Sequence, residues 1–301
     1  MRFSFWPNAA QSWSDILATA QHAERTGWDG VYIADHFLPS IGDDSGPTLE
    51  CWGLMAGLAA AVPRVRIGSL VCGNTYRHPA VLANQAATVD QISGGRLVLG
   101  LGAGWQENEH EAYGIELQSP GPRLDRLEEA CRVVKGLLTQ PRTTFDGIYY
   151  SVRNAPCEPK PVQERLPLLI GGGGEKRTLR IAAQFADEWN VWGMPELLAE
   201  KGSVLQHHCD DVGRDPGEIA HSAQALLFMS DNKEFLDRIR DADVPRPMVL
   251  GGVTEVTDTL GRYAKAGVDE FIVPDFTLPA AGEQRWEIMD RFINEAAAPL
   301  R

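Results

Sequence analysis

Arg96–Ile115 reads RLVLGLGAGWQENEHEAYGI. Leu97, Val98, Leu99 and Leu101 make an apolar run of strand length that ends in Gly100, Gly102 and Gly104, and a tryptophan and a cluster of Glu and His follow at once. Such a run predicts a buried strand leading into a loop, and glycines there let something come close to the backbone. That something is either a flat ligand or the crowded neighbours of a packed sheet. The stretch lacks the third glycine of G-x-G-x-x-G, and its acidic residues come immediately instead of one strand later, so it is a poor dinucleotide fingerprint.

Moving outward, short apolar runs alternate with amphipathic stretches of helical length. Toward the N-terminus, RFSFW opens the chain, and Trp13, Ile16, Leu17, Ala20 and Ala23 follow at helical spacing. GVYIAD is a second strand ending at Asp35, Leu54 to Ala61 a helix closed by Pro63, VRIGSLV a third strand and Pro79 to Ile92 a third helix. Toward the C-terminus, Leu124, Leu127, Cys131, Val134 and Leu138 line a fourth helix. TTFDGIYYSVRNAPCEPKPVQERLP, rich in turn formers and in aromatic and β-branched residues, reads as a hairpin excursion. The alternation resumes with PLLIGGGG, Glu175 to Phe185, DEWNVW, Pro195 to Val212 and AHSAQALLF. Asp231 to Gly252 reads only as a short helix and a loop. The last unit places Val256, Leu260, Tyr263 and Ala264 on one helix face, with Gly267 as its stop and DEFIVP as the eighth strand. A doubly wound sheet alternates in the same way locally, but eight strands favour a (β/α)8 barrel.

Composition narrows the function. The chain has 301 residues, with 28 Lys and Arg against 41 Asp and Glu, a net charge of −13. It carries no basic stripe of the kind that neutralises nucleic-acid phosphates or docks on anionic lipid. Cys51, Cys72, Cys131, Cys157 and Cys209 are odd in number, widely spaced and free of any C-x-x-C pair, which speaks against a disulfide framework or a zinc site and for buried thiols. No segment approaches the roughly 18 apolar residues of a membrane span, and no signal-like apolar stretch opens the chain. The expectation is a cytoplasmic protein with a small-molecule substrate, no nucleic-acid or membrane partner and no metal.

In a barrel the chemistry sits where strands end. Gly171, Gly172, Gly173 and Gly174 lie between a strand and a helix, where free N–H groups and the helix dipole suit an anion, although a tight turn would use the same residues. No G-K-[ST] follows, so this is not a P-loop. Asp35 and His36 end the second strand. An imidazole in a barrel mouth suits proton transfer near neutral pH, or else it bonds a loop backbone. His78 before Pro79 reads as a helix-entry residue. No G-x-S-x-G, H-E-x-x-H or Cys-His nucleophile is present, which leaves hydrolysis without a candidate.

Taken together, IADHFLPS (33–40), the long stretch from Ile67 to Ile115, RLDRLEEACRVVKGLL (123–138), FDGIYYSV (145–152), the segment Cys157 to Asn190 and YAKAGVDEFIV (263–273) resemble the luciferase-like monooxygenase superfamily, most closely its coenzyme F420-dependent oxidoreductases. The resemblance covers nearly the whole chain. It implies a single luciferase-like domain over residues 1–301, a (β/α)8 barrel with a small β-hairpin insertion after the fourth helix, usually a homodimer. It also implies a deazaflavin, or alternatively FMN, at the C-terminal mouth, with Gly102, Ala103 and Gly104 beside the ring and the Gly171–Gly174 loop at the tail phosphate. Carried over by position, Leu70 and Val71 fall at a non-prolyl cis peptide backing the ring, and Asp35 and His36 match the Asp-His of the deazaflavin branch, the histidine as acid/base. Trp105, with Glu107 and Glu109, would shape the substrate side. Trp105 stands where sugar-phosphate dehydrogenases of this branch carry a glutamate, which speaks against that substrate. The implied reaction is hydride transfer between C5 of the deazaflavin and an organic substrate. Two alternatives are an FMN monooxygenase fed by a separate reductase and a non-catalytic flavin-binding protein.

Overall fold

Eight short runs, most of them rich in branched and aromatic residues, become the strands of a closed barrel in the computed structural model, which describes residues 1–39 and 44–301. The strands are β1 (Arg2–Trp6), β2 (Gly30–Ile33), β3 (Arg66–Ser69), β4 (Leu97–Gly102), β5 (Leu168–Gly171), β6 (Glu188–Trp192), β7 (Ala220–Gln224) and β8 (Glu270–Pro274). Neighbours pair in parallel all the way round, and the ring closes through Arg2↔Glu270 to Trp6↔Pro274 and through Ile67↔Leu97. At the end of β3, Leu70 and Val71 leave the ladder with a cis peptide bond between them. Cys72–Gly73 then rejoin β4 opposite Leu101 and Gly102.

Alternation along each strand divides the core in two. Phe3, Phe5, Val31, Ile33, Leu99 and Phe271 face outward into the main cluster beneath the helices. Tyr32, Val98, Leu169 and Ile272 fill the barrel, with Trp6 and Leu70 above them. At the N-terminal ends of the strands, Arg66 binds Glu188 and, at 2.6 Å, Glu270, to which Arg2 also bonds at 3.1 Å. This buried ionic layer closes the bottom of the barrel, so the open end is where the strands finish.

The outer ring holds α1 (Trp13–Thr26), α2 (Cys51–Ala61), α3 (Pro79–Ser93), α4 (Glu107–Tyr113), α5 (Pro120–Thr139), α6 (Thr178–Phe185), α7 (Pro195–Val212), α8 (Lys233–Asp241), α9 (Val253–Lys265) and α10 (Glu283–Arg291). Ser12 caps α1, which Gly27 ends in the left-handed region. His78 caps α3 through Nδ1, accepting from Ala80 N at 3.2 Å with Pro79 at the first helical position, as read from the sequence. After α5 come Thr143–Asp146 and Ser151–Ala155, paired antiparallel as the expected hairpin.

Two segments depart from the sequence reading. AHSAQALLF is not one strand: the barrel part stops at Gln224, and Leu226–Met229 pairs in parallel with Met248–Gly251 in a separate two-stranded sheet. A continuous run of extended chain carries no mark in its sequence of where one ladder ends and another begins. The same pairing makes a strand of the end of the unclear region 231–252. The five cysteines are buried free thiols, and among the described residues no helix is long and apolar enough to cross a membrane.

Candidate active site

The C-terminal ends of the strands surround a cavity of about 730 Å³ with a mainly apolar wall. Trp6 ends β1, Asp35 and His36 follow β2, and Leu70 and Val71 follow β3. Gly102 to Trp105 end β4, Gly171 and Gly172 end β5, and Trp192, Gln224 and Phe276 complete the circle. Of the site residues singled out from the sequence, Gly173, Gly174, Glu107 and Glu109 lie off this cavity.

The glycines are crowded first by the protein itself. A Cβ on Gly100 would stand 2.0 Å from the Ser69 carbonyl oxygen, and one on Gly102 or Gly171 would stand 2.9 or 2.8 Å from a Val71 methyl. Side chains at these positions would expel the Leu70–Val71 bulge from its seat, and that bulge forms part of the cavity wall. The glycines of β4 and β5 therefore admit the Ser69–Val71 segment, its backbone at Gly100 and the Val71 side chain at Gly102 and Gly171, and the cavity borders the result.

His36 and Asp35 are adjacent in sequence but serve separate networks. His36 Nδ1 lies 2.8 Å from Glu109 Oε1, and Glu109 also accepts from Tyr76 Oη, from Phe37 N at 2.7 Å and from Leu38 N at 3.3 Å. Burial pushes the Glu109 carboxyl up, but the hydrogen bonds from His36, Tyr76 and the Phe37 N–H outweigh it and hold the group below its ordinary 4.5. An ionised carboxylate only accepts, so Nδ1 carries the proton and Nε2 is the nitrogen left for a ligand. Asp35 is instead clamped by Arg77, at 2.6 and 3.0 Å, and by Gly73 N at 3.2 Å. Burial raises its carboxyl above the usual 3.8 even so. No bond joins Asp35 to His36.

The three residues expected on the substrate side lie in different places. Trp105 lines the cavity, 57% exposed, with its ring edge-on to His36 at 5.5 Å. Glu109 does not face the substrate side but lies fully buried behind His36, and Glu107 points to solvent off the cavity. The reason is helical: in α4, positions 109 and 110 turn inward and 107, 108 and 111 outward. Sequence reading missed Glu109 and Arg77 as partners. A signal was present, since ENEHEAYG has acidic residues in its first turn and the glycine stop of a helix without an apolar stripe, so its inward face had to be polar.

The four-glycine loop is divided between two tasks. Gly172, with φ +120°, donates its N–H to Asn190 O at 2.9 Å and accepts from Trp189 Nε1 at 2.8 Å, so it is committed to the barrel rim. Gly173 and Gly174 instead border a shallower cavity of about 540 Å³ with Lys176, Arg177, Thr178 and Lys201. Its cations and the start of α6 favour an anion there. Arg177 is partly used by Asp125 at 2.6 Å and Lys201 by Glu175 at 2.5 Å.

Residues 1–242 match the family described as luciferase-like monooxygenase. An F420-dependent glucose-6-phosphate dehydrogenase of Kineococcus radiotolerans is 37% identical over 227 residues, covering 73% of this chain and 66% of that protein. An uncharacterized protein of Mycobacterium tuberculosis is 28% identical over 275 residues, covering 86% of each. Among solved structures, an F420-dependent secondary alcohol dehydrogenase in complex with an F420-acetone adduct superposes with a TM-score of 0.84 at 22% identity, covering 99% of this chain and 98% of that one. A monooxygenase from Streptomyces bottropensis superposes at 0.82 with 17% identity over 100% of both chains. Structural likeness at such identities speaks for the barrel alone, but the family match runs from β1 through α8 and takes in nearly every strand end that builds the cavity, so the chain belongs to the luciferase-like monooxygenase family.

Proposed function

We propose that the protein is an F420-dependent oxidoreductase that moves a hydride between the deazaflavin and a small organic substrate. The observation that carries the reading is His36, fixed by a buried ionised Glu109 at the wall of an apolar cavity, in a chain 37% identical to an F420-dependent dehydrogenase.

The residues fit a flat ring with an anionic tail. Leu70, Val71, Gly102, Ala103, Gly104 and Trp105 would border the ring. The Gly171–Gly174 loop passes from the apolar cavity to the basic one, as such a molecule requires. Gln224, 3% exposed at the end of β7, has an Oε1 without a hydrogen-bond partner among the described residues, an acceptor suited to a ligand N–H or O–H. Bound there, the deazaflavin supplies a carbon-centred hydride donor or acceptor. The chain's part is to orient, to exclude water and to move one proton. Glu109 fixes the His36 ring and its tautomer, so that Nε2 takes a proton from an alcohol or, when protonated, gives one to a carbonyl oxygen. Arg77 holds Asp35 in a separate network, which leaves Glu109 as the carboxylate that fixes the His36 ring.

Trp105, on the rim beside His36, favours an apolar substrate over a sugar phosphate. The homodimer implied by the resemblance belongs to the same proposal and is measured by sedimentation. The test of the reaction is to mix reduced F420 with the protein and a panel of ketones, enones and imines under air. Oxidation of the deazaflavin coupled one to one to substrate reduction, without oxygen uptake, is expected. Oxygen uptake with hydroxylation on reduced FMN would replace the reading with a monooxygenase.

A further inference from the structure

Few charges border the cavity. Asp35 and His36 lie at the end of β2, and Asp35 is neutralised by Arg77. Across from them, among the described residues, one arginine lines the wall: Arg246, in the segment leading to Met248–Gly251. Its guanidinium lies over the Trp192 ring, 4.5 Å from the centroid, and it forms no ion pair with any described residue. Trp192 meets Trp6 at 5.8 Å and Trp6 meets Phe276 at 5.0 Å, so the cation is seated against an aromatic wall. Gln224, with its unpartnered Oε1, pairs in register with Trp192.

Seating over an indole restrains a guanidinium and leaves N–H groups free to receive a carboxylate with two hydrogen bonds. A half-buried cation in an apolar wall is also costly without a counter-ion. In a chain of net charge −13, the residue is not explained by general surface charge.

We infer that Arg246 on Trp192 receives a carboxylate of the substrate, while Trp6, Trp192 and Phe276 take its apolar body: the substrate class is a carbonyl compound or enone bearing a carboxylate on an aromatic or other apolar frame. This names the substrate class of the site proposed above and rests on that reading for the reaction, though not for the binding.

The test is calorimetric titration of cofactor-free protein with phenylacetate and with phenylacetamide, its neutral isostere. The parent should bind phenylacetate at least about tenfold more tightly. Arg246→Gln should erase that preference and leave phenylacetamide affinity within about twofold, which also shows that the variant folds. No preference in the parent, or a preference that survives in Arg246→Gln, overturns the inference. The cofactor's own anionic groups are the other source of a carboxylate or phosphate. F420 affinity should therefore be unchanged in Arg246→Gln, and a loss there with phenylacetate preference intact reassigns Arg246 to the cofactor and overturns it as well. Since nothing is turned over, a parent that ignores F420 but keeps the preference would sink the oxidoreductase reading and leave this inference standing.

Discussion

Glu109 accepts four hydrogen bonds within the protein, from His36, Tyr76, Phe37 and Leu38, and is fully buried. Its depressed folded-state pKa means that it favours the folded protein above its ordinary 4.5, and that this contribution is lost as the pH falls through the folded value. Urea midpoints should therefore place Glu109→Gln below the parent at pH 7, and the gap should narrow in acid; a gap independent of pH would mean that the carboxylate is not ionised in place. In catalysis Glu109→Gln should lower kcat by about 10²-fold, since an orienting carboxylate fixes the tautomer and the ring. His36→Ala should lower turnover by about 10² to 10⁴ with F420 affinity within a few-fold, as loss of a general acid/base does. Unchanged turnover across the pH range would remove His36 from the mechanism. His36 was legible in the sequence because it ends a strand. Its partner was not, because Glu109 lies 73 residues away and only the closing of the barrel brings β2 and α4 together.

At the scale of elements, the glycines of β4 and the loop after β5 separate packing from binding. Gly100→Ala places a methyl on the Ser69 carbonyl, which cannot retreat, and should destabilise by about 3 kcal/mol or more. Gly94→Ala, at φ +68° with nothing within 4 Å, should cost only about 1 kcal/mol. Similar losses in thermal unfolding would contradict the seating of the bulge. In the basic cavity, Lys176→Gln should weaken F420 binding about fivefold, roughly 1 kcal/mol, and flatten its salt dependence. Binding equal to the parent would make the loop a turn only. The strands and most helices could be read in advance because a parallel barrel writes each strand as a bounded apolar run. The split of 220–229 between two sheets could not, because the apolar residues after Gln224 read as a continuation of the same strand and only hydrogen-bond partners distinguish the two ladders.

For the whole molecule, an ionic layer seals one end of the barrel and an apolar cavity opens at the other, so a single face is left for chemistry. The central claim is that this face is matched to a deazaflavin, and FMN, with a similar ring and tail, is the stringent comparison. The direct measurement is fluorescence titration of the purified protein with F420 and, separately, with FMN at the same ionic strength. Saturable F420 binding at one site per chain is expected, at least about tenfold tighter than FMN, a difference of roughly 1.4 kcal/mol. FMN binding as tightly as F420, or more so, would contradict it.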